Sequence, residues 1–126
     1  MEPARFPGRA PIEAYGNGGF RFADMSHRGS ILALPSGIEA WPVIAAGEID
    51  AASMAPLIAE AGAIDVLLVG TGDTMVPLSA ETVSALEAVS LYPDPMSTGA
   101  AVRTYNVLLS EERQVAAALV AVERVR

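Results

Sequence analysis

The run Ile64-Asp65-Val66-Leu67-Leu68-Val69 constrains the fold more than any other part of this chain. Four consecutive apolar residues stand between Asp65 and Gly70, a stretch too short for a helix of ordinary length. Alternate side chains of a strand point to opposite sides of a sheet, so a strand that is apolar on both faces must be covered on both faces. The sequence therefore predicts a central strand with helices packed on each side, in an α/β fold.

Two later helices are predicted from their capping residues. Ser79 is a good N-cap for a helix that ends near Ser90. Thr98 is the predicted N-cap of a further helix that continues through Leu109. The intervening 93–95 segment, with prolines on both sides of an aspartate, is predicted to break the chain.

An earlier, alanine-rich helix has two candidate N-caps. Asp50 and Ser53 both precede a stretch that runs to Ala61, with Gly62 as the predicted C-cap. Ser53 is preferred, because Pro56 then falls at the third helical position, where the N–H that proline lacks has no partner within the helix.

The first half of the chain has the punctuation of short strands. Strands over 12–15 and 20–22 flank the turn 16–19, whose glycines and asparagine tolerate the positive φ of a hairpin. After a polar link at 25–28, further strands are predicted over 29–34 and 38–41. This half is predicted to be a small antiparallel β unit that shares one core with the α/β half.

The two ends of the chain are less regular. Residues 1–11, with three prolines and no apolar segment of the secretory type, are predicted to be a flexible arm, and 12–126 a single α/β domain in a cytoplasmic protein. The tail 114–122 remains open between two structures. Its alanines favour a helix, but propensity is a weak guide and a buried strand fits as well.

Composition excludes several kinds of chemistry. The chain has no cysteine, and all eight basic residues are arginine, which excludes thiol catalysis, cysteine-ligated metals and Schiff-base chemistry. His27 is the single histidine, so a histidine-rich metal site is excluded and no cofactor is expected. A formal net charge of −7 argues against a nucleic-acid surface. Apolar runs stay far below the ~20 residues that span a bilayer, so no membrane insertion is expected.

The candidate site combines a glycine turn with a polar cluster. Gly70-Thr71-Gly72 follows the predicted central strand, where ligands of α/β sheets bind, although a tight turn that lets a backbone pass closely is the alternative. Arg103 and Asn106 lie three residues apart and share a helix face. They either tie the helix to neighbouring loops or, with Thr98 and the glycine turn, line a small anion-compatible pocket.

Four segments of the chain resemble one protein family, the domain-of-unknown-function 498 family. They are IEAYGNGGFRF, HRGSILALPSG, DVLLVGTG and MSTGAAVRTYNVLLSEERQVAAALVAV. The resemblance implies a compact α/β fold with a mixed sheet flanked by helices and a β-hammerhead-like N-terminal unit, and it makes the tail a strand. Val102 stands where many members have cysteine, and Ser97 where aspartate is common.

The same resemblance implies a function. A mitochondrial member of the family is a respiratory complex I assembly factor, and no catalytic activity is established for the family. We therefore expect a non-catalytic protein-interaction or assembly module that binds a protein partner or forms a homodimer. The alternatives are a domain that binds a small anion and an enzyme of unknown reaction.

Overall fold

The computed structural model describes residues 5–124, which form a six-stranded sheet, a three-stranded sheet and three α-helices. The strands are β1 (Arg5–Phe6), β2 (Ile12–Gly16), β3 (Gly19–Phe22), β4 (Met25–Arg28), β5 (Ser30–Leu34), β6 (Gly37–Trp41), β7 (Val66–Gly70), β8 (Pro93–Met96) and β9 (Val115–Leu119). The helices are α1 (Ala55–Ala59), α2 (Ala80–Glu87) and α3 (Thr98–Ser110).

The large sheet is mixed, with the strand order β1-β6-β5-β9-β7-β8. β7 runs parallel to both of its neighbours, whereas β1, β6, β5 and β9 pair antiparallel with one another. β2, β3 and β4 form the small antiparallel sheet. The predicted α/β class is confirmed. The predicted N-terminal β unit, however, is divided, because β5 and β6 belong to the large sheet.

β7 is buried on both faces, as its sequence predicts. Leu67 and Val69 pack in one core cluster with Leu86 of α2, and Leu68 packs in a second cluster with Tyr105 of α3. The first face of the large sheet is covered by residues 43–64 and α2, and the second by α3 and the small sheet. The domain therefore has three layers with the large sheet in the middle.

The tail of the chain is a strand, β9, at the centre of the large sheet between β5 and β7. All five of its residues are buried. Ala116 and Ala118 face the first core cluster, and Val115, Ala117 and Leu119 face the second. Burial on two faces overrides the helix propensity of the alanines, because only a paired strand satisfies the backbone at this position.

Two segments predicted as links are strands. Residues 25–28 form β4, which pairs antiparallel with β3 along its whole length. The predicted break at 93–95 lies in β8, which pairs parallel with β7 at the edge of the large sheet. Prolines are tolerated there because only one side of an edge strand needs N–H donors.

The capping predictions for the later helices have opposite outcomes. Ser79 caps α2 as predicted, since its hydroxyl accepts a hydrogen bond from the Thr82 N–H at 3.2 Å. The prediction that Thr98 caps α3 is wrong. Ser97 is the N-cap, and its hydroxyl accepts from the Ala100 N–H at 3.3 Å.

The first helix is shorter than predicted. α1 begins at Ala55 after a 3₁₀ turn, with Pro56 in its first turn, and ends at Ala59 rather than before Gly62. Ser53 does not cap it. Asp50 and Ser53 instead bind each other in the preceding turn, where each side chain accepts from the other's N–H at 2.8 and 3.0 Å.

The N-terminal segment differs from the flexible arm that the sequence predicts. β1 pairs with β6, and Arg5 forms an ion pair with Glu39. Ala10 is buried, and its carbonyl accepts a hydrogen bond from the Tyr105 hydroxyl at 3.2 Å. Strand pairing and burial therefore hold residues 5–11 on the domain, and residues 1–4 lie outside the described part of the chain.

Candidate functional site

The glycine turn after β7 lies against the N-terminus of α3. A Cβ added to Gly70 would lie 2.9 Å from the Cα of Thr98 and 3.1 Å from its hydroxyl oxygen. A backbone atom at 2.9 Å is too close for a real side chain. Glycine at position 70 is thus explained by the close approach of α3, the structural alternative that the sequence offered.

Two buried threonine hydroxyls fasten this turn. The Thr71 hydroxyl donates to the Thr74 carbonyl at 2.7 Å. The Thr98 hydroxyl accepts from the Gly72 N–H at 3.0 Å and donates to the Val120 carbonyl at 2.7 Å. We call this cluster the polar junction, and it consists of Gly70, Thr71, Gly72 and Thr98. Its hydroxyls are committed to backbone partners that join β7, α3 and the end of β9.

A cavity of about 10 Å³ lies beside the polar junction, lined in part by Gly72, Ser97, Gly99 and Arg124. A buried water needs roughly 10–15 Å³, so this space corresponds to one water molecule at most. The polar junction contains the residues Gly70, Thr71, Gly72 and Thr98 of the predicted anion pocket. The pocket itself stays a prediction.

The other two predicted residues lie further along α3. The Asn106 side chain accepts from the Ile12 N–H at 2.8 Å and donates to the Ile12 carbonyl at 2.9 Å. Its amide therefore pairs with the edge of β2 as a neighbouring strand would, and it ties α3 to the small sheet. Arg103 is exposed on the same helix. Asn106 makes a structural tie of the kind that the sequence allows.

Tyr105 lies between these two residues and is 1% exposed. Burial in apolar surroundings raises the pKa of Tyr105 to about 12, while the positive charge of Arg9 acts in the opposite direction. A phenol that keeps its proton this firmly takes no part in proton transfer near neutral pH. Its role is to fill the core and to hold the Ala10 carbonyl.

An open surface depression of about 460 Å³ lies over the small sheet. Arg21, His27 and Arg28 line it, and Gly16 and Gly19 leave part of its floor as bare backbone. No three metal-ligating side chains are grouped anywhere in residues 5–124. Within the same residues, no helix has the length and apolar character needed to cross a membrane.

A smaller groove between α2 and β8 has a different character. Its lining is Pro77, Leu78, Val83, Glu87, Tyr92, Pro93 and Pro95, and its volume is about 270 Å³. Tyr92 is 68% exposed, and Met75 and Val76, which precede the groove residue Pro77, are 54% and 39% exposed. Three of the five large apolar side chains exposed in the described residues thus belong to the two segments that border this α2–β8 groove.

The strand beside the groove has an unusual outer edge. The Met96 carbonyl accepts from the Thr71 N–H at 2.9 Å, so Met96 directs its carbonyl inward, to the β7 side. Backbone groups of alternate strand residues point to opposite edges, so those of Pro93 and Pro95 point outward. Proline has no N–H, and the outer edge of β8 therefore lacks donors at both positions.

Charge is divided unequally along the chain. The range 29–102 contains no lysine, arginine or histidine. Its acidic residues are Glu39, Glu48, Asp50, Glu60, Asp65, Asp73, Glu81, Glu87 and Asp94. All charged side chains in the layer formed by residues 43–64 and α2 are therefore acidic, and every arginine of the chain lies before position 29 or after position 102.

The fold and the groove together define a small three-layer α/β domain with a largely apolar groove beside its acidic layer. The chain belongs to the family of proteins of unknown function DUF498/DUF598, whose model matches residues 12–120. The family expected from the sequence is therefore confirmed.

Three relatives support this assignment. An uncharacterised protein of Rhodobacter capsulatus is 42% identical over 114 residues, covering 90% of this chain and 86% of the relative. A crystal structure described as an outer membrane protein of Bartonella henselae is 53% identical, with a TM-score of 0.90 over 94% of this chain and 99% of that chain. A Bordetella pertussis structure described as a Mth938-like domain is 30% identical, with a TM-score of 0.74 over 89% and 85% of the two chains.

Sequence reasoning missed the α2–β8 groove. Its residues come from the loop before α2, from α2 itself and from the segment 92–95, of which the sequence predicts 93–95 only as a break. One signal was present in the sequence. Val76 and Tyr92 directly precede prolines and Met75 precedes Val76, so these large apolar residues lie outside any helical stripe, where burial in the core is not assured.

Proposed function

We propose that this protein is a non-catalytic interaction module that binds a segment of a protein partner in the α2–β8 groove. The observation that carries the proposal is the largely apolar lining of this groove, on which Tyr92 is 68% exposed, together with the exposed Met75 and Val76 directly before the groove residue Pro77. Contiguous exposed apolar patches on small soluble domains mark interaction sites.

The energetics support a role for Tyr92 as an anchor. A tyrosine buries on the order of 150–250 Å² when fully covered. Covering the two-thirds of Tyr92 that is exposed would stabilise a complex by about 3 kcal/mol at roughly 25 cal/mol/Å². Tyrosine is also enriched among the residues that dominate protein interfaces.

The polar groups support a non-catalytic role. Burial raises the pKa of the Tyr105 hydroxyl to about 12, away from neutral pH. Active sites generally hold groups whose pKa values are moved toward the working pH. The Thr71 and Thr98 hydroxyls of the polar junction form hydrogen bonds with backbone groups, which is the arrangement expected of a structural contact.

For the biological process we propose assembly of a respiratory membrane complex, with the protein acting in the cytoplasm. The support for this step is the resemblance to a family with a complex I assembly factor among its members, and the family is the part that the comparisons establish. The groove is the surface through which such a role would be exerted.

The test is deletion of the gene followed by measurement of assembled NADH dehydrogenase in the membranes of the host. Deletion should lower the amount of assembled complex. The wild-type chain should restore that amount, and so should Val107→Ala, which shortens a 55%-exposed side chain on the opposite layer. Tyr92→Ala should not restore it. Normal complex after deletion would refute the respiratory role, and full rescue by Tyr92→Ala would refute the groove.

A further inference from the structure

We propose that the occupant of the α2–β8 groove is a helical segment of the partner with apolar anchors and a net positive charge. This inference rests on the proposed function and adds the chemistry of the partner. Three observations support it. They are the shape of the groove, the prolines at the outer edge of β8, and the absence of lysine, arginine and histidine from positions 29–102.

The shape of the partner segment follows from the edge of β8. A peptide that added itself as a strand would need N–H donors from β8, and Pro93 and Pro95 remove them from the outward side. Recognition at this place must therefore use side chains that insert into the groove. An amphipathic helix does this, because residues at i, i+3 or i+4 and i+7 project from one face.

The size of the groove agrees with this mode. A volume of about 270 Å³ lies below the roughly 300–1,000 Å³ of sites that enclose a drug-sized ligand. It suits a few apolar side chains against a lining of Pro77, Leu78, Val83 and the ring of Tyr92. Met75 and Val76, the two residues that precede Pro77 in the chain, are also exposed.

The charge of the partner segment follows from the acidic layer. Glu87 lines the groove. The other charged side chains of the layer formed by residues 43–64 and α2 are Glu48, Asp50, Glu60 and Glu81, all of them acidic. No basic residue between positions 29 and 102 offsets them. Complementary potentials steer encounter and exclude like-charged partners, so lysine or arginine flanking the apolar anchors fits this surface and acidic flanks do not.

The first experiment identifies the segment in the native host. The full chain carries the photo-crosslinker p-benzoylphenylalanine in place of Tyr92 or, as the control, in place of Val107, and crosslinked peptides are sequenced by mass spectrometry. We expect a peptide specific to position 92 that has net positive charge and an apolar repeat of three and four residues. An acidic or proline-rich extended peptide, or a peptide from a second copy of this chain, overturns the inference while leaving a binding groove intact. No peptide specific to position 92 overturns the proposed function as well.

The second experiment measures the charge dependence directly. The captured segment is made as a synthetic peptide, and its affinity for the purified chain is measured between 50 and 300 mM salt. Affinity should fall severalfold with salt, and Glu87→Gln should lower it about two- to fivefold at low salt, as expected for a charge pair at a rim. Glu111→Gln, the same change at the C-terminal end of α3, should leave it unchanged. Equal effects of the two variants, or no effect of salt, overturn the charge assignment.

Discussion

Thr98→Val is the most direct test of the polar junction. Valine has the shape of threonine and nearly the same helix propensity, so the substitution removes a hydroxyl without opening a cavity or disturbing α3. Thr98 is 0% exposed, so its hydroxyl lies away from bulk water. The Gly72 N–H and the Val120 carbonyl each lose the partner that the hydroxyl supplies.

The expected magnitude follows from those two partners. Leaving one buried polar group unpaired costs about 1–3 kcal/mol, so with two such groups the free energy of unfolding should fall by roughly 2–6 kcal/mol. For a small domain this is a large part of a total stability of about 5–15 kcal/mol.

The assay is equilibrium urea unfolding of the wild type, Thr98→Val and Thr104→Val. Thr104 is half-buried on the same helix, so its replacement makes the same chemical change at a less demanding position. We expect the control to lose less than about 1 kcal/mol. Equal losses for the two variants would refute the argument that the Thr98 hydroxyl fastens α3 to β7 and β9.

Three further predictions concern single residues of the core and its edges. Leu67→Ala should lower the free energy of unfolding by about 2–5 kcal/mol, because Leu67 is 2% exposed, and a loss below about 0.5 kcal/mol in urea unfolding would contradict its place in the core. Asn106→Ala should lower the free energy of unfolding by about 1–3 kcal/mol, because both backbone groups of Ile12 lose the partner that Asn106 supplies. The Ile12 amide should then exchange faster with solvent, and slower exchange in the variant would contradict the prediction. Tyr105 has a pKa of about 12 in the folded chain against 10.0 otherwise, so the unfolded state loses the proton first and wild-type stability should fall by roughly 2–3 kcal/mol between pH 10 and 12. Tyr105→Phe should lack that fall, and identical pH dependence of unfolding in the two proteins would contradict the assignment.

Local signals in the sequence were sufficient for several elements. The apolar run 66–69 specified a strand covered on both faces, because two-sided burial leaves a direct imprint on residue type. Ser79 specified the start of α2, since a cap is a contact between residues three apart. Gly70 signalled a close backbone approach, although the sequence did not say which backbone approaches.

The remaining decisions depended on contacts between distant parts of the chain. The alanines of β9 favour a helix locally, and only pairing with β5 and β7 makes them a strand. Pairing with β7 likewise makes the segment with Pro93 and Pro95 an edge strand. Contact with the end of β9 explains why the buried Thr98 hydroxyl binds the Val120 carbonyl instead of capping α3. Propensity differences amount to about 1 kcal/mol or less per residue for residues other than proline, and a buried hydrogen bond or core contact of this size or larger overrides them.

The sequence by itself therefore determined the fold class, the family and the acidic charge of the chain. Tertiary structure alone decided which residues share a site. It separated Asn106 from the polar junction by binding it to Ile12, and it joined 77–87 and 92–95 into one groove. The physical reason is that residue type records the environment of each position, whereas a site is a relation between positions that only the folded backbone brings together.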